Sequence, residues 1–135
     1  MKVLLVGESN PHSDEALTLT PRGAAGDRLR RALGMTDEEY LRRFKRINLC
    51  RRTWDAAEAD QVAANLYFEY RAGIGSGRMI LLGARVARAF DLPYDVFKNV
   101  LPGVVVFPHP SGRCRSWNDP LTVLQAREVV RGMIS

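Results

Sequence analysis

Four short apolar runs separated by helical patterns constrain this chain more than any other feature: KVLLVG (Lys2 to Gly7), FKRINLC (Phe44 to Cys50), RMILLG (Arg78 to Gly83) and GVVVFP (Gly103 to Pro108). Three are apolar without interruption, as strands are when both faces of a sheet are covered. Leu29, Ala32 and Leu33 share a helical face that Gly34 closes. Thr36 with Glu39 makes a capping box opening a short helix through Tyr40 and Phe44. Asp55 with Glu58 caps another, carrying Val62, Leu66 and Tyr70 before the break at Gly73 to Gly77. Val86, Ala87 and Phe90 mark a fourth helix, ended by Pro93. Asp119 and Pro120 open a fifth, in which Val123, Ala126, Val130 and Met133 share a face. Strands alternating with helices predict an α/β fold: a three-layer sandwich around a central, mainly parallel four-stranded sheet with right-handed crossovers.

With 135 residues, one domain spanning the whole chain is expected. The early apolar run, Val3 to Val6, is far shorter than a signal-peptide core or a membrane span. The expectation is therefore a soluble cytoplasmic monomer with no membrane association. Cys50 and Cys114 are too few for a disulfide framework or a cysteine-ligated cluster. They read as ordinary thiols unless His12 or His109 helps them to hold a metal. The glycine cluster lacks the Lys-Ser/Thr of a phosphate loop, which argues against nucleoside triphosphates. Net charge is +5, with 17 arginines against three lysines. That bias suits a phosphate-bearing partner, although a GC-rich genome also raises arginine without functional demand.

Ligands of open α/β sheets bind beyond the carboxyl ends of the strands. The segments at those ends are GESNPHS, NLCRR, GARVARAF and HPSGRCRSWNDP. Polar, turn-forming and catalytic residue types concentrate after strands one, two and four of this series.

That ordered set resembles the uracil-DNA glycosylase superfamily. Its members carry a first loop that begins with Gly and sets an acid or Asn beside Pro, matched by Gly7-Glu8-Ser9-Asn10-Pro11. They carry a base-reading Asn on the second strand, matched by Asn48, and a final His-Pro-Ser or Asn-Pro-Ser-Gly loop, matched by His109-Pro110-Ser111-Gly112. The stretch Pro21 to Gly34 is similar to the segment of iron-sulfur members in which a Pro-aromatic pair precedes a small-residue turn and a helix. Two departures stand out. Two cysteines cannot supply the four ligands of the iron-sulfur cluster, so no cluster, metal or organic cofactor is carried over. Arg22 stands where those members place a base-stacking Phe, which leaves stacking to its guanidinium plane or to an aromatic such as Tyr40 or Trp117.

The resemblance implies hydrolysis of the bond joining uracil, or a related damaged or modified pyrimidine, to deoxyribose in DNA. Such cleavage needs support for a cation-like sugar and an anion-like base. His109 is the candidate donor to the departing base. Asn10 is the first candidate to position the attacking water, and Glu8 is its rival because it alone in the loop could act as a base. The Gly7 to Pro11 turn, Ser9 included, and Arg22 are expected to contact substrate, and the amide of Asn48 offers a donor and an acceptor to a pyrimidine edge. Ser111, Gly112, Arg113 and Arg115 are expected on the DNA side. The rival readings are a hydrolase acting on free nucleotides or hypermodified bases, and a non-catalytic nucleic-acid-binding module.

Overall fold

A computed structural model of the chain describes residues 2–11 and 13–134. His12, named above as a metal helper, lies outside them. The strands β1 Val3–Gly7, β2 Phe44–Asn48, β3 Met79–Leu82, β4 Asn99–Leu101 and β5 Val104–Phe107 form one sheet in the order β2-β1-β3-β5-β4. Four run parallel, and β4 is antiparallel to β5. The α/β class and the mainly parallel sheet match the sequence reading, but the strand count is corrected from four to five. The additional strand is the outer arm of a hairpin, turned by Pro102 and by Gly103 at φ 78. Proline followed by a glycine at positive φ is the chemistry of a type II turn. Three residues that include an exposed Asn99 are too short and too polar to register as an apolar run.

The helices are α1 Ala25–Ala32, α2 Asp37–Arg43, α3 Ala56–Arg71, α4 Ala84–Ala89 and α5 Pro120–Ile134. Both halves of the Thr36–Glu39 capping box form, and Asp55 accepts the Glu58 N–H at the start of α3. Asp119 accepts the Leu121 N–H, and Pro120 is the first residue of α5. Helix α4 stops at Ala89, earlier than Pro93 requires, because Asp91 takes a left-handed φ of 57 and Leu92 N–H closes onto Ala87 O.

Side chains alternate across the sheet, and the alternation builds two cores. Val3, Leu5, Ile80, Leu82, Val105 and Phe107 pack with Leu29, Tyr40, Ala126 and Val130, under α1, α2 and α5. Val6, Leu81, Val104 and Val106 pack with Ala59, Ala63, Val86 and Ala87, under α3 and α4. The sheet is thus sandwiched between two helical layers. The connection from β1 to β2 runs through the first layer and that from β2 to β3 through the second. Chain leaving β1 and β2 therefore parts to opposite faces, which opens a crevice at their carboxyl ends.

One buried ion-pair cluster organises that crevice. Asp27, in the first turn of α1, is fully buried. Its carboxylate accepts from Gly23 N–H at 2.9 Å and Arg22 at 3.0 Å, and it pairs with Arg30 and Arg31 at 3.2 Å each. Burial alone would raise the carboxyl pKa. The Gly23 hydrogen bond, the bonds from Arg22 and Arg30 and the Arg31 charge outweigh it and hold the group at about 2, below its ordinary 3.8. A depressed folded-state pKa contributes stability that is present above pH 3.8 and lost as pH falls toward 2. Asp27→Asn should destabilise the fold by about 2 kcal/mol or more at pH 7, since it leaves three guanidinium groups without their buried partner. The difference in unfolding free energy from the parent should shrink as the solution is acidified, and urea melts at pH 7 and at about pH 3 check this.

Candidate functional site

Gly7 ends β1 directly beside Asn48, which ends β2. A Cβ on Gly7 would lie 2.5 Å from Asn48 Oδ1, so only glycine leaves room for that amide. The two strands remain zipped beyond their formal ends: Leu49 N–H donates to Gly7 O at 3.0 Å and Cys50 N–H to Glu8 O at 2.9 Å. The loop after β1 is also clamped from outside. Asp14 pairs with Arg51 and Arg52, and Arg52 donates to Pro11 O. Both arginines remain largely exposed while bracing the loop.

A cavity of about 240 Å³ opens where the loops meet, and Glu8, Ser9, Asn10, Pro11, Asn48, His109, Ser111 and Gly112 all line it. Eight of the expected positions, drawn from three separated stretches, thus share one space. Gly7 supports it from below through Asn48. Three expected positions do not reach it. Arg22 is turned away, bound to Asp27 at 3.0 Å and Asp37 at 3.7 Å. Arg113 and Arg115 are exposed on the final loop outside the cavity wall. Nor do the aromatic candidates cover the space. Tyr40 is buried with its hydroxyl donating to Leu17 O at 2.9 Å. Trp117 packs on Phe107 and donates its indole N–H to Pro108 O and His109 O, both at 3.2 Å.

The wall that sequence reading did not assign to the site comes from Leu17, Thr18 and the turn Gly23 to Gly26. Leu17 adopts a left-handed φ of 51, and a Cβ on Gly26 would lie 2.0 Å from its carbonyl oxygen. The small-residue run GAAG was the available signal: at Gly26 not even a methyl fits against the Leu17 backbone.

His109 protrudes from the end of β5 with its tautomer fixed by the loop. Ser111 N–H donates to Nδ1 at 3.1 Å, so Nδ1 is the acceptor and Nε2 carries the proton. Burial lowers the His109 pKa below its ordinary 6.5, Glu8 opposes that shift and Arg85 adds to it. The imidazole is accordingly neutral at pH 7. Its Nε2 lies 3.9 Å from Glu8 Oε2, and Glu8 Oε1 lies 3.8 Å from Arg85. Both separations exceed a direct hydrogen bond, which leaves capacity on each group for a ligand. Gly83, at φ 101, provides the space: a Cβ there would meet the His109 Cβ at 3.1 Å and Glu8 Oε2 at 3.4 Å.

Asn10 is buried and acts within its own loop. Its amide N–H groups donate to Glu15 O at 2.9 Å and Thr18 Oγ1 at 3.3 Å. Asn48 is different, since its Oδ1 is buried without a hydrogen-bond partner among the described residues. Such an atom costs about 1–3 kcal/mol unless something donates to it, and the N–H of a planar ring in the cavity is a suitable donor. Among the described residues no three His, Cys, Asp or Glu side chains are grouped to hold a metal. Cys50 and Cys114 are free, and Cys50 Sγ exchanges hydrogen bonds with Asp55 backbone groups. No helix among the described residues is long and apolar enough to cross a membrane. A larger groove of about 490 Å³ lies along the open edge of β2, between Asp14 and Val62. It shares Asn48 with the smaller cavity but lacks His109 and Glu8.

Comparison with protein-family models, curated proteins and solved structures found no match to this chain.

Two glycine substitutions separate framework from site. Gly26→Ala should lower Tm by several degrees, because its new methyl meets backbone that cannot move cheaply. Gly7→Ala should leave Tm closer to the parent while displacing the Asn48 side chain, seen as a large change in its amide NMR resonances.

Proposed function

We propose that this protein is a small DNA glycosylase of the uracil-DNA glycosylase type, hydrolysing the bond between uracil or a related modified pyrimidine and deoxyribose. The observation that carries the reading is the meeting of Glu8, Asn10, Asn48 and a neutral His109 around one cavity. Asn48 presents an amide to the edge of the ring. His109 Nε2–H donates to a ring carbonyl oxygen as the C1′–N1 bond breaks and its electron pair moves into the base. Water then bonds to C1′ on the opposite face and passes a proton to the Glu8 carboxylate. Asn10 acts mainly by holding the loop, since its N–H groups are engaged by Glu15 and Thr18. Nothing in this sequence of steps calls on a cofactor.

Oligonucleotides carrying uracil, mismatches or modified pyrimidines, treated with alkali after incubation, test the reading through strand breaks at abasic sites. His109→Ala should slow base release at least about tenfold, roughly 1.4 kcal/mol of barrier. Glu8→Gln should cost about a hundredfold, typical of a lost general base, and more than Asn10→Ala, whose loss should be accompanied by a lower Tm. Unchanged rates in the Glu8 and His109 variants would refute these roles. Release from free nucleotides alone would favour a nucleotide hydrolase, and binding without release from any substrate would favour a non-catalytic module.

The pH dependence follows from the His109 tautomer. Protonation puts a hydrogen on Nδ1, where it confronts the Ser111 N–H and breaks the contact that orients the ring. With its folded-state pKa lowered below 6.5 by burial, the neutral form predominates at pH 7 and is lost as pH falls through that lower value. Base release should therefore be flat near neutrality and decline on the acid side. A rate that rises as His109 protonates would contradict the assignment.

A further inference from the structure

The arginines around the cavity fall into two groups. Arg22, Arg30 and Arg31 are tied to Asp27, Arg51 and Arg52 to Asp14, and Arg85 faces Glu8. Arg28, Arg113 and Arg115 form no side-chain hydrogen bond or ion pair with any described residue. Arg113 and Arg115 are exposed, but Arg28 is partly buried. It extends from α1 across to the final loop, with its Nη1 3.7 Å and its Cζ 3.8 Å from where a Cβ on Gly112 would sit. Gly112 and Ser111 line the cavity, as does Gly26, two residues before Arg28. A guanidinium group carries five N–H donors in a fixed fork. Holding one part-buried at the lip of a base-sized cavity, with no carboxylate to answer it, disposes it toward an anion that arrives with the ligand.

We propose that Arg28 grips the phosphodiester next to the nucleotide whose base enters the cavity, and that Arg113, beside Gly112, adds a second contact to the same stretch of backbone. The inference rests on the reading that the cavity accepts a base belonging to a polynucleotide, but it does not depend on that base being cleaved. The role is one of positioning: the phosphate grip sets how deeply the nucleotide is drawn toward His109. Glycine at position 112 lets the backbone of the final loop and the phosphate approach the same guanidinium without a side chain between them.

Binding of a short single-stranded oligonucleotide with one central non-hydrolysable abasic site, followed by fluorescence anisotropy, tests this without requiring base release. Arg28→Ala should weaken binding about tenfold. It should also flatten the dependence of log affinity on log salt by about 0.7, the effect of one lost phosphate contact on a single strand. Arg28→Lys should recover part of the loss. Arg71→Ala removes the same charge at the opposite end of the sheet and should bind like the parent. Replacing single phosphates with neutral methylphosphonate locates the contact. At one position beside the abasic site the parent should fall to the level of Arg28→Ala, and the variant should lose nothing more. Parent-like binding by folded Arg28→Ala and Arg28→Gln would overturn the proposal, as would a loss that no single methylphosphonate removes. Base release by a variant that binds like the parent would leave the glycosylase reading intact and discard only the Arg28 contact. A confirmed phosphate contact with no base release from any substrate would do the reverse.

Discussion

Everything at the ligand end of this molecule depends on the pairing of Gly7 with Asn48. Parallel strands fix that register, and a slip by one residue would turn every side chain of β2 to the other face of the sheet. The Asn48 amide would then leave the cavity, and apolar Ile47 or Leu49 would stand opposite Gly7 in its place. Beyond the last paired residues, Leu49 and Cys50 continue to donate to Gly7 and Glu8. The loop after β1 is therefore an extension of the sheet rather than an independent flap, and Glu8 inherits its position from the strands.

A second framework holds the opposite wall. Asp27 gathers three arginines and a backbone N–H in the first turn of α1. This places the small-residue turn against Leu17, whose carbonyl is held from the other side by the Tyr40 hydroxyl. Charge is handled differently inside the cavity. There a neutral imidazole and a carboxylate stand just beyond hydrogen-bond distance of each other, and the exposed Arg85 guanidinium approaches the carboxylate from outside the cavity. Carboxylates thus absorb the arginines that build the wall, while the groups facing the cavity keep unused donors and acceptors.

Much of this was legible in the residues. The continuous apolar runs identified the parallel strands, and the rule that ligands gather at strand carboxyl ends pointed to the Gly7, Asn48 and His109 loops together. The caps at Thr36, Asp55 and Asp119 were readable because their partners lie two or three residues away. What escaped reading depended on contacts distant in sequence. The hairpin arm at Asn99 takes its strand character from β5 rather than from its own composition. Arg22 reads as a substrate contact until Asp27 is seen to be buried beneath it. The Leu17 backbone, the GAAG wall and the Arg51–Arg52 clamp on Asp14 acquire meaning only once the loops are folded over one another. Asn10 lines the cavity, but its ties to Glu15 and Thr18 were not visible in the Asn-Pro pair.

The central claim is that three separated loops surround one planar ring. Titration of isotopically labelled protein with free uracil and free thymine, followed through backbone and side-chain amide NMR resonances, addresses it most directly. The account predicts saturable shifts in Glu8, Ser9, the Asn48 side chain, Ser111 and Gly112, moving together with a single dissociation constant. Shifts confined to the open groove between Asp14 and Val62, or independent responses of the three loops, would contradict it.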